Sequence, residues 1–309
     1  MLTIWKNKGQ FQKIDKFERN CWINVTSPTP DEIDCLVEDY RVPDYYINDI
    51  LDVDERSRMD VEGRWLMIIV RVPIFRNDNS LPFITVPLGV LISPHSIITL
   101  CVYENEIIRD FVNPLKNKNL SIDNKSTFVL ELFLRSSNQY LKYLKEINIR
   151  ISNIEQELEK STKNKEIQNL LKMEKCLLFF ITSLKSNEIL LSKLQRSRFA
   201  RVEEFDEDLL ADVFTETKQA IEMSQIYSEI QGGLMDTFAS IVSNNLNVVM
   251  KQLTSVTIVL MVPTLISSFF GMNLTNHFEN SSMAFAIVAI ISFLLSVIIV
   301  VIFRRRNWF

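Results

Sequence analysis

Glycine and histidine are scarce in this chain, with six glycines and two histidines among 309 residues. No Gly-x-x-x-x-Gly-Lys stretch and no paired-glycine turn behind a strand occurs, which excludes nucleotide-phosphate cradles of those kinds. With His95 and His277 the only imidazoles, no nucleophile, base and orienting partner can be recognised, so the chain reads as a non-enzyme without an organic cofactor. The four cysteines, Cys21, Cys35, Cys101 and Cys176, form no Cys-x-x-Cys pair. They read as reduced thiols in the core or at the surface of a cytosolic portion. Basic residues cluster only at Arg304, Arg305 and Arg306, and the formal charge is -4, so nucleic acid is not an expected partner. The start, Met1-Leu-Thr-Ile-Trp-Lys6, lacks the charged and apolar segments of a secretory signal.

Proline is absent from 115 to 262, and glycine in that interval is confined to Gly232 and Gly233. Long helices are the natural consequence. Phe128, Leu132, Tyr140, Leu144, Ile147, Ile151, Ile154 and Leu158 recur mainly at steps of three and four, an apolar stripe on a charged rod. A second rod is predicted over 170–194, after the polar Lys160-Ser-Thr-Lys-Asn-Lys165 turn, and a third from about Phe205. With no strong breaker before Pro263, the third rod would reach roughly 90 Å, more than a globular domain requires. Ahead of these rods, strands are predicted at 21–25, 65–74, 84–92 and 97–102, rich in β-branched residues and bounded by Pro, Asn, Asp or Ser. Thr29-Pro30-Asp31-Glu32 reads as a helix start.

Charge disappears near the end of the chain. Residues 253–270 are 18 in a row without a charge, and 283–303 are 21; a membrane span needs about 20. Two transmembrane helices are therefore expected. Lys251 precedes the first and Arg304–Arg306 follow the second, while 274–282 has neither Lys nor Arg, which predicts both termini in the cytosol. Trp308 suits an interfacial anchor. The second span is almost uniformly aliphatic and aromatic, as expected against lipid. The first carries Asn247, Thr257, Thr264 and Ser268 on one face with Met250, Leu253 and Met261. Neutral oxygens inside a bilayer belong against protein or water. Pro263 removes the hydrogen bond to the Val259 carbonyl and is expected to bend the helix.

This face ends in Phe270-Gly271-Met272-Asn273. A Gly-Met-Asn tripeptide that closes the first of two C-terminal spans, behind a long helix and before a short loop and a basic tail, resembles the CorA family of magnesium channels. The likeness extends through Ser243-Asn244-Asn245-Leu246-Asn247-Val248-Val249-Met250-Lys251-Gln252-Leu253-Thr254, and more weakly to Asp236, Asp212, Trp22, Pro30, Glu32, Pro43, Asp49 and Leu51-Asp52. It implies a funnel: an α+β cytosolic domain (1–115), long stalk helices (116–252) and a membrane domain (253–309), assembled as a homopentamer in the cell membrane. Gly271, Met272 and Asn273 would form the selectivity filter. Asn247, Met250, Leu253, Thr257, Met261, Thr264 and Ser268 would line the pore. Mg2+ would be both cargo and regulator, with Asp212 and a front-domain carboxylate, Asp78, as its regulatory ligands.

Many members continue after Gly-Met-Asn with an acidic Met-Pro-Glu loop. Here Leu274-Thr-Asn-His-Phe-Glu-Asn280 stands instead, so zinc, cobalt or nickel remain alternative cargoes within the same fold. A membrane-tethered helical scaffold or sensor is the alternative of another class.

Overall fold

The computed structural model describes residues 1–7, 11–77, 80–112, 124–160, 164–197, 199, 206–272, 283–306 and 308. Seven strands form one sheet: β1 (Leu2–Asn7), β2 (Phe11–Ile14), β3 (Cys21–Thr26), β4 (Arg58–Glu62), β5 (Trp65–Phe75), β6 (Phe83–Ser93) and β7 (Ser96–Cys101). The helices among the described residues are α1 (Pro30–Glu38), α2 (Asp44–Leu51), α3 (Glu106–Val112), α4 (Lys125–Lys160), α5 (Asn164–Arg196), α6 (Glu207–Phe270) and α7 (Ala284–Arg305). The chain divides into two compact units, Met1–Gly232 and Gly233–Phe309. The α+β sheet domain, the long helices and two apolar C-terminal helices are therefore those expected of the sequence.

In the first unit the sheet runs β2-β1-β3-β7-β6-β5-β4, antiparallel throughout except where β3 pairs parallel with β7. Its central strands alternate strictly. Leu66, Ile68, Val70, Val72 and Ile74 of β5 join a core with Phe128, Leu132, Leu190 and Leu194 of α4 and α5, whereas Trp65, Met67 and Ile69 join Leu36, Tyr46, Ile47 and Ile50 of α1 and α2. Helices thus cover both faces, which is why β5 and β6 read as near-continuous apolar runs. Thr29 caps α1 as anticipated: its side chain accepts from the Glu32 amide at 3.3 Å, and the Glu32 carboxylate accepts from the Thr29 amide at 3.0 Å.

β4 pairs with β5 only as far as Arg58↔Ile69, so the outward peptide groups of Arg71 lack a strand partner. Asn187 of α5 replaces it. Its Oδ1 accepts from the Arg71 amide at 3.0 Å and its Nδ2 donates to the Arg71 carbonyl at 2.8 Å, while the Tyr140 hydroxyl donates to the same carbonyl at 3.0 Å. The Arg71 guanidinium donates to the carbonyls of Val53, Glu55 and Thr85 at 2.6–2.9 Å. Burial pulls its pKa below the ordinary arginine value.

α6 covers the helical side of this unit with Leu210, Val213, Thr217, Ala220, Ser224 and Gln231, all buried and spaced mostly by three and four. The Thr217 hydroxyl shares a 2.8 Å hydrogen bond with that of Ser137 on α4. Gly232 and Gly233 do not stop the helix. They do carry the backbone entropy cost of glycine at the residue pair where the two units divide.

The glycines make opposite predictions. A β-carbon on Gly89 of β6 would lie 2.8 Å from Ile50 Cγ2 and closer still to its other branch, because α2 rests on the strand at this point. One on Gly232 or Gly233 meets nothing within 4 Å. Gly89→Ala is expected to lower the thermal midpoint of the full-length protein in detergent, with a cost of about 1–3 kcal/mol that Ile50→Ala partly relieves. Gly232→Ala and Gly233→Ala are expected to raise the midpoint, each contributing about 0.5–1 kcal/mol. Equal responses from the two sites would contradict this packing.

Candidate functional site: the polar face of the first span

The second unit consists, among the described residues, of the C-terminal part of α6 and of α7. Its apolar side chains are bare: Leu260 is 65% exposed, Phe285 87% and Phe293 69%. Water does not tolerate an apolar surface of this extent on a lone chain, whereas lipid does, and both helices are long and apolar enough to cross a bilayer.

The two sides of α6 differ here. Ser255 is fully buried, and Ile258, Val259, Val262, Pro263 and Ile266 are half-buried. α7 is the described helix available to cover them. Its own least exposed residues, Val288, Ser292, Ser296 and Ile299, also fall at steps of three and four. Asn247, Met250, Leu253, Thr257, Met261, Thr264 and Ser268 are all exposed. At 3.6 residues per turn their mean direction lies roughly 150° around α6 from the covered side. The structure thus brings all seven predicted residues onto one strip that no described residue covers. The sequence had treated α7 as uniform. Ser292 and Ser296, four apart, are the signal of its covered side that the aliphatic run around them obscured.

The hydroxyls of the strip have a fixed polarity. Thr257 Oγ1 donates to the Leu253 carbonyl at 2.8 Å, and Thr264 Oγ1 donates to the Leu260 carbonyl at 2.9 Å. With the proton directed into the helix, the oxygen lone pairs remain as acceptors toward the strip. Along the strip Met261 stands between these two hydroxyls, and Met250 and Leu253 stand between Asn247 and Thr257. Pro263 sits within α6, so the Val259 carbonyl has no amide four residues ahead to pair with. At the helix end the Gly271 amide donates to the Ser267 carbonyl at 2.9 Å and that of Met272 to the Phe269 carbonyl at 3.5 Å. A β-carbon on Gly271 would lie 3.2 Å from the Ser267 carbonyl oxygen, so the last turn is tight where glycine stands. Met272 is half exposed. Asn273 lies outside the described residues, as do His277 and Glu279.

In the first unit, Asp212 is exposed on α6, and its suggested partner Asp78 lies outside the described residues. Asp206, from the same acidic stretch, has an ordinary structural role: its Oδ1 accepts from the Leu209 amide at 3.0 Å and its carbonyl from that of Leu210 at 3.0 Å, capping α6. Among the described residues no group of three or more His, Cys, Asp or Glu side chains forms a metal cluster. Cys21, Cys101 and Cys176 are buried. Burial pushes the thiols of Cys101 and Cys176 up to about 11, so they stay protonated and are poor soft-metal ligands.

Known proteins place these features in a family. The profile described as "CorA-like Mg2+ transporter protein" matches residues 17–305. The cobalt/magnesium transport protein CorA of Methanocaldococcus jannaschii is 26% identical over 294 residues, covering 94% of this chain and 92% of that protein. The protein of the same name from Thermotoga maritima is 23% identical over 295 residues, covering 93% and 83%. The solved structure of the complete CorA magnesium transporter from Methanocaldococcus jannaschii superposes with a TM-score of 0.86 at 24% identity, covering 100% of this chain and 99% of that one. With its sheet domain, its long helices and its two bare apolar helices at the C-terminus, the chain belongs to the CorA-like Mg2+ transporter family, and it is a multi-pass membrane protein.

Proposed function

We propose that this chain is one subunit of a homo-oligomeric ring, five-fold by analogy with its family, that conducts Mg2+ into the cell through a pore lined by the strip on α6. The supporting observation is that strip: seven exposed residues, without a charge, on the side of α6 away from its buried and half-buried residues. One such helix cannot enclose a channel, but a head-to-tail arrangement repeated about an axis closes into a ring of them. In this reading 1–115 is a cytosolic regulatory domain, 116–252 a stalk and 253–309 the channel, with both termini in the cytosol.

Mg2+ dehydrates reluctantly and prefers oxygen. A ring of acceptor-only hydroxyls from Thr257 and Thr264, with the Asn247 and Asn273 amides, accepts hydrogen bonds from the waters of a hydrated ion without replacing them. The rings of Met250, Leu253 and Met261 close by excluding water when they approach one another. The membrane potential supplies the drive. A divalent ion gains roughly 4.6 kcal/mol on entering at about 100 mV, inside negative, so nucleotide hydrolysis is not needed. Co2+ is the competing cargo, because the relatives carry cobalt and magnesium in their names.

Asn273→Ala is expected to reduce Mg2+ flux into proteoliposomes by tenfold or more, on the order of one lost charge-assisted hydrogen bond per subunit, while the assembly mass in native mass spectrometry stays that of the wild type. Wild-type flux from the normally assembled variant overturns the filter assignment. In the same assay, equimolar Co2+, Ni2+ or Zn2+ is expected to compete less well than Mg2+.

Regulation completes the proposal. Two carboxylates brought together at a subunit boundary repel unless a cation bridges them. Asp212, facing Asp78 of a neighbouring copy, would close the ring while internal Mg2+ is plentiful and release it as Mg2+ falls, with α6 passing the movement to Met250 and Leu253. Asp212→Lys supplies a fixed cation. Patch currents from it are expected to show a weaker dependence of closure on internal Mg2+ with unchanged ion preference, and an unaltered inhibition curve removes Asp212 from the sensor.

A further inference from the structure

The end of α7 holds the densest positive charge of the chain. Arg304, Arg305 and Arg306 follow 24 uncharged residues, 280–303, and 283–309 contains neither Asp nor Glu. On α6, Lys251 enters the first span at the same membrane boundary, and no acidic residue occurs between 237 and 278. Among the described residues none of the three guanidinium groups is ion-paired, and all three are exposed. No described residue neutralises the charge.

The tail that follows folds back on the helix. The Arg306 amide donates to the carbonyls of Ile302 and Phe303 at 3.1 and 3.2 Å, and the Trp308 amide donates to that of Phe303 at 3.0 Å. A bond spanning five residues in this way turns the chain at a helix end. Its result is a stack: the rings of Trp308 and Phe303 lie 5.2 Å apart and 9° from parallel. Arg306, three residues after Phe303, shares the side of the helix on which this stack sits. An aromatic plate thus stands at the apolar end of the tail, with guanidinium groups beyond it.

We propose that the Phe303–Trp308 stack together with Arg304–Arg306 forms a binding site for an anionic phospholipid. The lipid phosphate accepts from the planar guanidinium donors, which match two of its oxygens at once. The glycerol and upper acyl chain lie against the indole, at the depth where tryptophan settles in bilayers. Unbalanced positive charge selects against phosphatidylcholine, whose own choline neutralises its phosphate, and favours phosphatidylglycerol.

Quenching of Trp308 by brominated lipids tests this in the reconstituted full-length protein. The other tryptophans, Trp5, Trp22 and Trp65, lie in the first unit, and a Trp308→Phe sample subtracts their emission. At equal mole fraction, brominated phosphatidylglycerol is expected to quench Trp308 at least about threefold more than brominated phosphatidylcholine. Arg304→Gln/Arg305→Gln/Arg306→Gln is expected to bring the ratio to one, and the corresponding lysine triple to retain most of it. Arg306→Gln alone, which leaves two charges to hold the helix end in place, is expected to remove about half of the excess. Inorganic phosphate, compared with chloride at matched ionic strength, is expected to leave the ratio unchanged. A wild-type ratio near one, an excess that survives the glutamine triple, or an excess removed by phosphate but not by chloride each overturns the lipid site.

Discussion

One continuous helix meets two different solvents, and the rest of the structure follows from how it does so. α6 runs 64 residues from Glu207 to Phe270. Because a helix satisfies its own backbone hydrogen bonds, it can enter hydrocarbon where a loop could not. Its side chains alone must therefore change along its length. Toward the N-terminus a buried stripe from Leu210 to Gln231 covers the sheet unit. Toward the C-terminus the buried stripe is narrow, centred on Ser255 and Val262, and nearly everything else is bare apolar surface or the neutral strip from Asn247 to Ser268. The back-bonds from Thr257 and Thr264 keep those hydroxyls satisfied within the helix, so their outward oxygens need no protein partner.

Much of this was legible in the sequence, and what was not has identifiable causes. The strands at the centre of the sheet announced themselves because helices on both faces demand unbroken apolar runs. β4 did not: Arg58–Glu62 is an edge strand with three charged residues among its five, and nothing local marks it. β1, β2, α2 and α3 were similarly too short to impose a period. The bond between Asn187 and Arg71 joins residues 116 apart in the chain, and no pattern rule connects an asparagine on a helix with the peptide it will imitate. The paired glycines in α6 carried a breaker signal that tertiary contact on one side of them and continuing helical sequence on the other overrode.

The strip on α6 was legible as a period, since its residues recur at steps of three and four. Its direction was not. A polar face can mark either a helix–helix contact or a water-facing wall, and the spacing is the same for both. Burial within the chain shows only which side is covered: Ser255 and Val262 take it, and Thr257, Met261 and Thr264 are left outside it. In the proposed channel the neutral oxygen acceptors on the uncovered side would suit the water shell of a hard cation.

Cysteine accessibility examines that uncovered wall most directly. In full-length protein whose four native cysteines are replaced by alanine, single cysteines at Thr257, Met261 and Thr264 are compared with those at Val259, Val262 and Ile266, using a small, charged, membrane-impermeant thiol reagent in Mg2+-free buffer. A water-lined pore predicts fast modification at the first three positions, slowed when Mg2+ is restored, and little at the other three. Equal rates at all six, or faster reaction at Val259, Val262 and Ile266, would contradict it.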